Sequence, residues 1–190
     1  VNKRPTKIFL YFRHMWTKMI LTHHWPTTFC SDLLPDMKTS WPDLFDPLSN
    51  DFWKYEWKKH GTCAAKAISL NSQHKYFSKA LDLYHTLDLD SILKKFSITP
   101  SPQYYNFSYI EGVIENFYHV KPKIQCGHST KVLGQIELCF NSSFALMDCE
   151  KQVSTESDPD RGWDYPMNVD KGSGLSVCNH DVPVYYPPVE

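Results

Sequence analysis

The stretch Trp53-Lys-Tyr-Glu-Trp-Lys-Lys-His-Gly-Thr-Cys63 carries the most specific pattern in the chain. With the residues just before it, the stretch predicts a short helix. Asp51 is an acceptable N-cap, the aromatic residues are spaced for one face, and Gly61 stands where a C′ glycine belongs.

Three chemically active side chains share one face of this helix. Glu56 precedes Lys59 by three residues and His60 by four, and at about 100° per residue all three point in nearly one direction. Cleavage of a phosphodiester by a neighbouring hydroxyl needs a base, an acid and positive charge to stabilise the phosphorane. This face offers a base and a cationic clamp. The same spacing also fits an ordinary solvated helix, and spacing alone does not decide between the two.

Other patterns outline the remaining elements. Residues 18–25 read as a strand that ends at Pro26, and a short helix is predicted around residues 33–41. Residues 76–96 have helical periodicity with an Asp-Leu-Asp break, which predicts two helices. Ser108 and Glu111 form a capping box at the start of a further amphipathic helix.

The second half of the chain is rich in strand signals. Val132–Phe140 alternates apolar and polar residues as a half-buried strand does, and residues 182–186 resemble a terminal strand. Residues 150–174 between them read as a loop. Since helices mostly precede strands, the order favours an α+β fold, and 190 residues suit a single domain.

Composition bounds the compartment and the ligands. The formal charge of -1 gives no electrostatic footprint for nucleic acid at neutral pH, but nine histidines would supply one in an acidic compartment. The six cysteines form no C-x-x-C pair, so we expect disulfides and neither a metal site nor a cofactor. Sequons at Asn106 and Asn141 agree with a secretory route and are candidate glycosylation sites.

The N-terminal residues do not predict a membrane segment. Residues 7–13 are too short and too closely flanked by charge for a signal peptide or a membrane span. Because the chain begins at Val1 rather than at a methionine, we expect its true N-terminus to be missing.

The string around Glu56 strongly resembles the second active-site segment of the ribonuclease T2 family, W-x-H-E-W-x-K-H-G-T-C, with Tyr55 as the single mismatch. The resemblance extends over residues 16–188 through the strings HHWPTTFC, PKIQC, GQIELC and VYYPP. It implies an α+β domain at residues 16–190, with a central antiparallel sheet flanked by helices. Residues 1–15 would then be a poorly defined N-terminal extension.

The resemblance also implies roles for individual residues. His60 is implied to be a catalytic histidine, the general base, while Glu56 and Lys59 stabilise the transition state. Two disulfides are implied, one between Cys126 and Cys178 and one between Cys139 and Cys149, the latter closing a hairpin.

Two departures from the family pattern affect the chemistry. The segment T-x-H-G-L-W-P, which carries the second catalytic histidine, is absent, because Cys30 runs through Ser31 into sequence that resembles the region downstream of it. In the family, the disulfide partners of Cys30 and Cys63 lie in that same segment. We therefore expect these two cysteines to lack their usual partners.

The second departure is Tyr55, which occupies the position of a phosphate-binding histidine. A phenol can donate a hydrogen bond to phosphate but brings no positive charge at acidic pH. His24, or its neighbour His23, is a candidate replacement for the lost histidine, although the simpler interpretation is that both are ordinary strand residues. Alternation along a strand lets only one of the two face the site.

The leading interpretation is a secreted or lysosomal endoribonuclease that acts as a monomer on single-stranded RNA. It would cleave by metal-free transesterification through a 2′,3′-cyclic phosphate, at a rate lowered by the missing histidine. The alternative is an inactive secreted protein that binds RNA or another partner through the same groove. A third reading is a chain that folds poorly because the segment was lost from a defective transcript.

Overall fold

A computed structural model describes residues 7–12 (backbone only), 31–43, 50–127, 131–149 and 175–188. The predicted strand at residues 18–25, including His23 and His24, lies outside the described residues, as does the predicted loop at 150–174. The described elements are α-helices and β-strands in separate parts of the chain, so the α+β class is confirmed.

One compact unit of the chain contains the sheet and two helices. Its strands and helices are β1 (Lys7–Phe12), α5 (Leu89–Lys95), β2 (Tyr104–Tyr105), α6 (Phe107–Tyr118), β3 (Lys123–Gly127), β4 (Val132–Phe140), β5 (Leu146–Met147), β6 (Ser176–Val177) and β7 (Val184–Tyr185). The strand β1 was not predicted. It lies inside the expected N-terminal extension and pairs with β4.

The sheet is mixed rather than purely antiparallel, which corrects the expectation. Its main path runs β2-β7-β4-β3-β6, and β4 also pairs with β1 and β5. The pair formed by β4 and β7 is parallel, with Val132 opposite Tyr185. A parallel pair needs a long crossover, and the chain between these two strands is long enough for one.

Strand β4 has the predicted bounds but not the predicted half-exposed character. From Gln135 to Phe140 every residue is buried, so both faces of the strand are covered. Polar side chains on one face of β4 contact polar side chains of the neighbouring strand β3. Nζ of Lys123 lies 3.4 Å from Oε2 of Glu137. Nε2 of Gln135 donates hydrogen bonds to Oε1 of Glu137 at 2.6 Å and to Oε1 of Gln125 at 3.0 Å. Buried polar groups persist when they are paired in this way.

A second compact unit contains the remaining helices. They are α1 (Leu34–Ser40), α2 (Asp51–Glu56), a π-helical turn (Trp57–Gly61), α3 (Thr62–Ala64), a 3₁₀ turn (Ile68–Leu70) and α4 (Gln73–Leu87). Their shared core is mainly aromatic and consists of Met37, Phe52, Trp53, Trp57, Tyr76, Phe77 and Leu81.

The break predicted within residues 76–96 is confirmed. Helix α4 ends at Leu87, and Asp88 follows with φ of 45° before α5 begins at Leu89. An aspartate tolerates this left-handed conformation better than most side chains, so it can end one helix and start another.

Two predicted helix caps were wrong. The N-cap of α2 is Asn50 rather than Asp51, which is the first helical residue. In α6 the cap is Asn106 rather than Ser108, because the Asn106 side chain accepts a hydrogen bond from the Ser108 backbone N–H at 2.9 Å. An asparagine two residues earlier is as good a cap as serine, and it moves the start of the helix forward.

Candidate active site

The candidate site lies on a helix that continues where the sequence predicted an end. Gly61 has φ of -63°, so it is an ordinary helical residue and not a left-handed C′ glycine. The Thr62 backbone N–H donates to the Trp57 carbonyl five residues earlier, which makes the turn a π-turn. Such wide turns within α-helices occur frequently at functional sites.

A contact between two residues explains the glycine at this turn. A Cβ at Gly61 would lie 2.1 Å from Cε3 of Trp57, whose ring is buried against the Tyr76 ring at 5.6 Å. Only a residue without a side chain leaves room for this indole. The prediction that position 61 needs a glycine is correct, but its reason, a left-handed helix end, was wrong.

The aromatic core fixes one side of the helix. Phe52, Trp53 and Trp57 are buried, and Trp53 Nε1 donates to the Trp41 carbonyl at 2.7 Å. The side chains of Tyr55, Lys59 and His60 are partly or largely exposed. Packing of the aromatic residues therefore presents these polar groups together.

Glu56 and His60 form the first of two pairs on the presented side. Oε2 of Glu56 lies 4.0 Å from Nε2 of His60, and the carboxylate side chain is only 6 % exposed, against 37 % for the imidazole. The structure thus brings together the acid and the imidazole that the spacing predicted. A carboxylate at this distance stabilises an imidazolium once the imidazole has taken a proton.

Lys59 and Tyr55 form the second pair, one residue ahead of the first. Nζ of Lys59 donates to the Tyr55 hydroxyl at 2.9 Å and lies 5.3 Å from the centroid of its ring. The two i, i+4 pairs run side by side along the same helix. All three predicted catalytic residues and the predicted substrate-binding residue Tyr55 thus lie within six residues of one another.

The surroundings of His60 lower its pKa. Burial, and then the positive charge of Lys59, lowers the pKa of His60 from its usual value to about 4. A nearby carboxylate such as Glu56 generally favours the charged imidazole, yet the pKa of His60 is lowered. The imidazole is therefore neutral, and able to accept a proton, at any pH above this value.

The buried charge of Glu56 also reaches α4. Burial, and then the Glu56 carboxylate, raises the pKa of the Tyr76 phenol. Tyr76 was not singled out from the sequence, where it appeared only as the start of a helical pattern. Its place beneath the site follows from tertiary packing, which no local pattern encodes.

Both disulfides that the resemblance implies are present, Cys126–Cys178 and Cys139–Cys149. Cys63 has no disulfide partner among the described residues, while Cys30 and His24 lie outside them. The sequon residues Asn106 and Asn141 are exposed. The described helices include none long and apolar enough to cross a membrane.

The fold and the site together define an α+β protein in which a helix presents an imidazole, a buried carboxylate and an ammonium, the groups that acid-base cleavage of a phosphodiester uses. A family model described as the ribonuclease T2 family matches residues 31–149. The chain belongs to the ribonuclease T2 family and is an RNA-cleaving enzyme of that type by family membership.

Individual relatives support this assignment. The chain is 45% identical over 224 aligned positions to ribonuclease T2 of Danio rerio, covering 96% of this chain and 92% of the relative. It is 35% identical over 221 positions to ribonuclease T2 of Homo sapiens, covering 92% and 86%.

The solved structures agree with the sequence comparison. A crystal structure of human RNase T2 superposes with a TM-score of 0.68 at 41% identity, covering 84% of this chain and 72% of that one. An RNase-related protein from Calystegia sepium superposes with a TM-score of 0.63 at 27% identity, covering 74% and 71%.

Proposed function

We propose that this chain cleaves single-stranded RNA as a monomer, by transesterification to a 2′,3′-cyclic phosphate, with His60 as the general base. The observation that carries the proposal is the pairing of His60 with the buried Glu56 carboxylate, 4.0 Å away, on the helix that presents Lys59. The glycosylation of Asn106 and Asn141, and a location in lysosomes or outside the cell, belong to the same proposal.

The chemistry assigns one step to each group. His60 removes the proton of the ribose 2′-hydroxyl, whose oxygen attacks the adjacent phosphorus. The bond from phosphorus to the 5′-oxygen then breaks, and that oxygen takes a proton from solvent water as it leaves. Glu56 stabilises the imidazolium that His60 becomes, and the Lys59 ammonium stabilises the extra negative charge on the phosphorane.

No side chain of this site is assigned to protonate the leaving 5′-oxygen, so that proton comes from water. The family segment T-x-H-G-L-W-P, which carries the second histidine, is absent from the sequence. Two observations support its loss: the family match starts at residue 31, directly after Cys30, and the alignment with the Danio rerio relative spans more positions than the chain has residues. Without a dedicated acid, we expect turnover to be slower by roughly 10²- to 10⁴-fold.

The test is release of 2′,3′-cyclic phosphate from homopolymeric RNA at mildly acidic pH. We expect slow release by the natural chain and none by His60→Ala. His74→Ala is the matched control, because His74 lies in the same helical unit but pairs with Asp32 at 2.8 Å rather than with Glu56. It should keep the activity.

Two outcomes would contradict the proposal. Release that survives His60→Ala would remove His60 from the role of base. No release from a natural chain that is demonstrably folded would contradict RNA cleavage, and RNA binding without product would then favour the alternative of an inactive binding protein.

A further inference from the structure

The hydrogen bond between Lys59 and Tyr55 has a consequence for the phosphate clamp of the proposed function. A lysine side chain has four rotatable bonds and loses more rotamer entropy than most side chains when it is fixed. Here Nζ donates a hydrogen bond to the phenol oxygen at 2.9 Å and lies 5.3 Å from the centroid of the same ring. The ammonium is thus held in place before any phosphate arrives.

The neutrality of the phenol is essential to this arrangement. The family pattern has a histidine at the position of Tyr55. Such a histidine would be positively charged at acidic pH and would repel the Lys59 ammonium. A phenol accepts the hydrogen bond without a charge of its own. Compared with the family pattern, the chain lacks one positive charge at position 55, but its Lys59 ammonium is positioned before the substrate binds. A charge that is positioned before the reaction contributes to stabilisation of the transition state.

We propose that Tyr55 is a positioning residue, whose hydroxyl holds the Lys59 ammonium where it clamps the reacting phosphate. The inference rests on the proposed function, since it names a role within the same site. In this role Tyr55 affects the reaction by positioning Lys59, and not by contacting the substrate itself.

A second observation agrees with a fixed lysine. The charge of Lys59 lowers the pKa of His60, so the ammonium is close enough for the imidazole to sense it. Among the described residues, Lys58 and Glu56 are ionisable neighbours on the same helix, and the Glu56 carboxylate also acts on Tyr76 of α4. Release of the lysine would weaken its effect on His60.

The experiment is a double-mutant cycle with Tyr55→Phe and Lys59→Gln in the full chain. Phenylalanine keeps the ring and removes only the hydroxyl. We expect Tyr55→Phe to lower kcat/KM on single-stranded RNA by roughly 3- to 10-fold, mainly through kcat. The double variant should be no slower than Lys59→Gln alone, because the hydroxyl acts only through the lysine.

A titration of His60 by NMR tests the same coupling without turnover. Tyr55→Phe should raise the pKa of His60 in the same direction as Lys59→Gln, and the double variant should match Lys59→Gln. Tyr109→Phe, which removes an exposed hydroxyl that donates to the Phe96 carbonyl, is the control and should change neither readout.

The outcomes separate the two proposals. If the natural chain releases no cyclic phosphate, the proposed function fails while the titration still decides the coupling. Rate losses that multiply in the double variant, or a His60 pKa that rises in Lys59→Gln but not in Tyr55→Phe, would overturn the positioning role.

Discussion

Nε2 of His60 lies 4.0 Å from Oε2 of Glu56, one helical turn away, yet the imidazole has a pKa of about 4. A carboxylate at this distance would normally raise the pKa of a histidine. Burial and the charge of Lys59 instead lower the pKa of His60. The site therefore holds a neutral base under acidic conditions, and forms its ion pair with Glu56 only after that base has accepted a proton.

The first prediction concerns the pH dependence of RNA cleavage. The base form of His60 is populated above its pKa, so kcat/KM should rise through an acidic limb centred near pH 4 and not near 6.5. The measurement is initial cyclic-phosphate release between pH 3 and 8, at a substrate concentration well below KM. Lys59→Gln should move the limb to higher pH, whereas a limb that stays near 6.5 in the natural chain would contradict the desolvated base.

The second prediction concerns stability and has a defined sign. The pKa of His60 is lower in the folded than in the unfolded chain, so between about pH 6.5 and 4 the unfolded chain binds more protons. This contribution to the free energy of unfolding is therefore fully present above pH 6.5 and is lost as the pH falls towards 4. His60→Gln should therefore reduce the loss of the free energy of unfolding between pH 6.5 and 4, measured by urea denaturation at a series of pH values.

The third prediction uses two glycines as a matched pair. Gly61→Ala places a Cβ 2.1 Å from the Trp57 ring, whereas a Cβ at Gly112 in α6 meets nothing within 4 Å. Gly61→Ala should lower the free energy of unfolding by about 1–3 kcal/mol, the usual cost of overpacking. Gly112→Ala should raise it by up to about 1 kcal/mol through helix propensity.

Chemical denaturation of the two variants checks this prediction. Equal effects would mean that the ring of Trp57 is not packed on Gly61. A loss of cleavage in Gly61→Ala that exceeds its loss of folded protein would connect the π-turn to the geometry of His60.

Much of this architecture follows from local sequence. The bounds of β4, the break at Asp88 and the face shared by Glu56, Lys59 and His60 were predicted because periodicity and turn chemistry are local properties. The family resemblance supplied the two disulfide pairings, which spacing alone would have left open.

What could not be predicted depends on tertiary contacts. The role of Gly61 required the position of the Trp57 ring, and the burial of Gln135 and Glu137 required knowledge that the polar face of β4 is covered. The cap of α6 was misread because Asn106 and Ser108 both fit, and only the backbone geometry selects between them.

The fourth prediction follows from that cap, which is also a sequon. Asn106 accepts the Ser108 backbone N–H through Oδ1, while a glycan would attach to Nδ2, so capping and glycosylation are compatible. Ser108→Ala should remove the glycan and keep the cap. Asn106→Gln should remove both and cost about 1 kcal/mol more in the free energy of unfolding.

Secretion from a eukaryotic host, followed by an endoglycosidase mobility shift and denaturation of the deglycosylated proteins, measures both effects. Asn141 provides a second test, because its Oδ1 accepts the Ser143 backbone N–H at 2.9 Å in the same way. A mobility shift that is unchanged in Ser108→Ala would exclude glycosylation at Asn106.

The fifth prediction compares the two disulfides. Cys126–Cys178 spans 52 residues of sequence and Cys139–Cys149 spans 10. If each bond acts mainly by restricting the unfolded chain, its contribution grows with the logarithm of the loop length, giving about 4.1 kcal/mol for the longer loop and about 2.7 kcal/mol for the shorter. Paired Cys→Ser variants, compared by denaturation without reductant, should therefore differ by about 1.5 kcal/mol, with the loss of Cys126–Cys178 the more damaging. The reverse order would mean that the hairpin between β4 and β5 depends on its disulfide for native packing, and not only for a lower entropy of the unfolded chain.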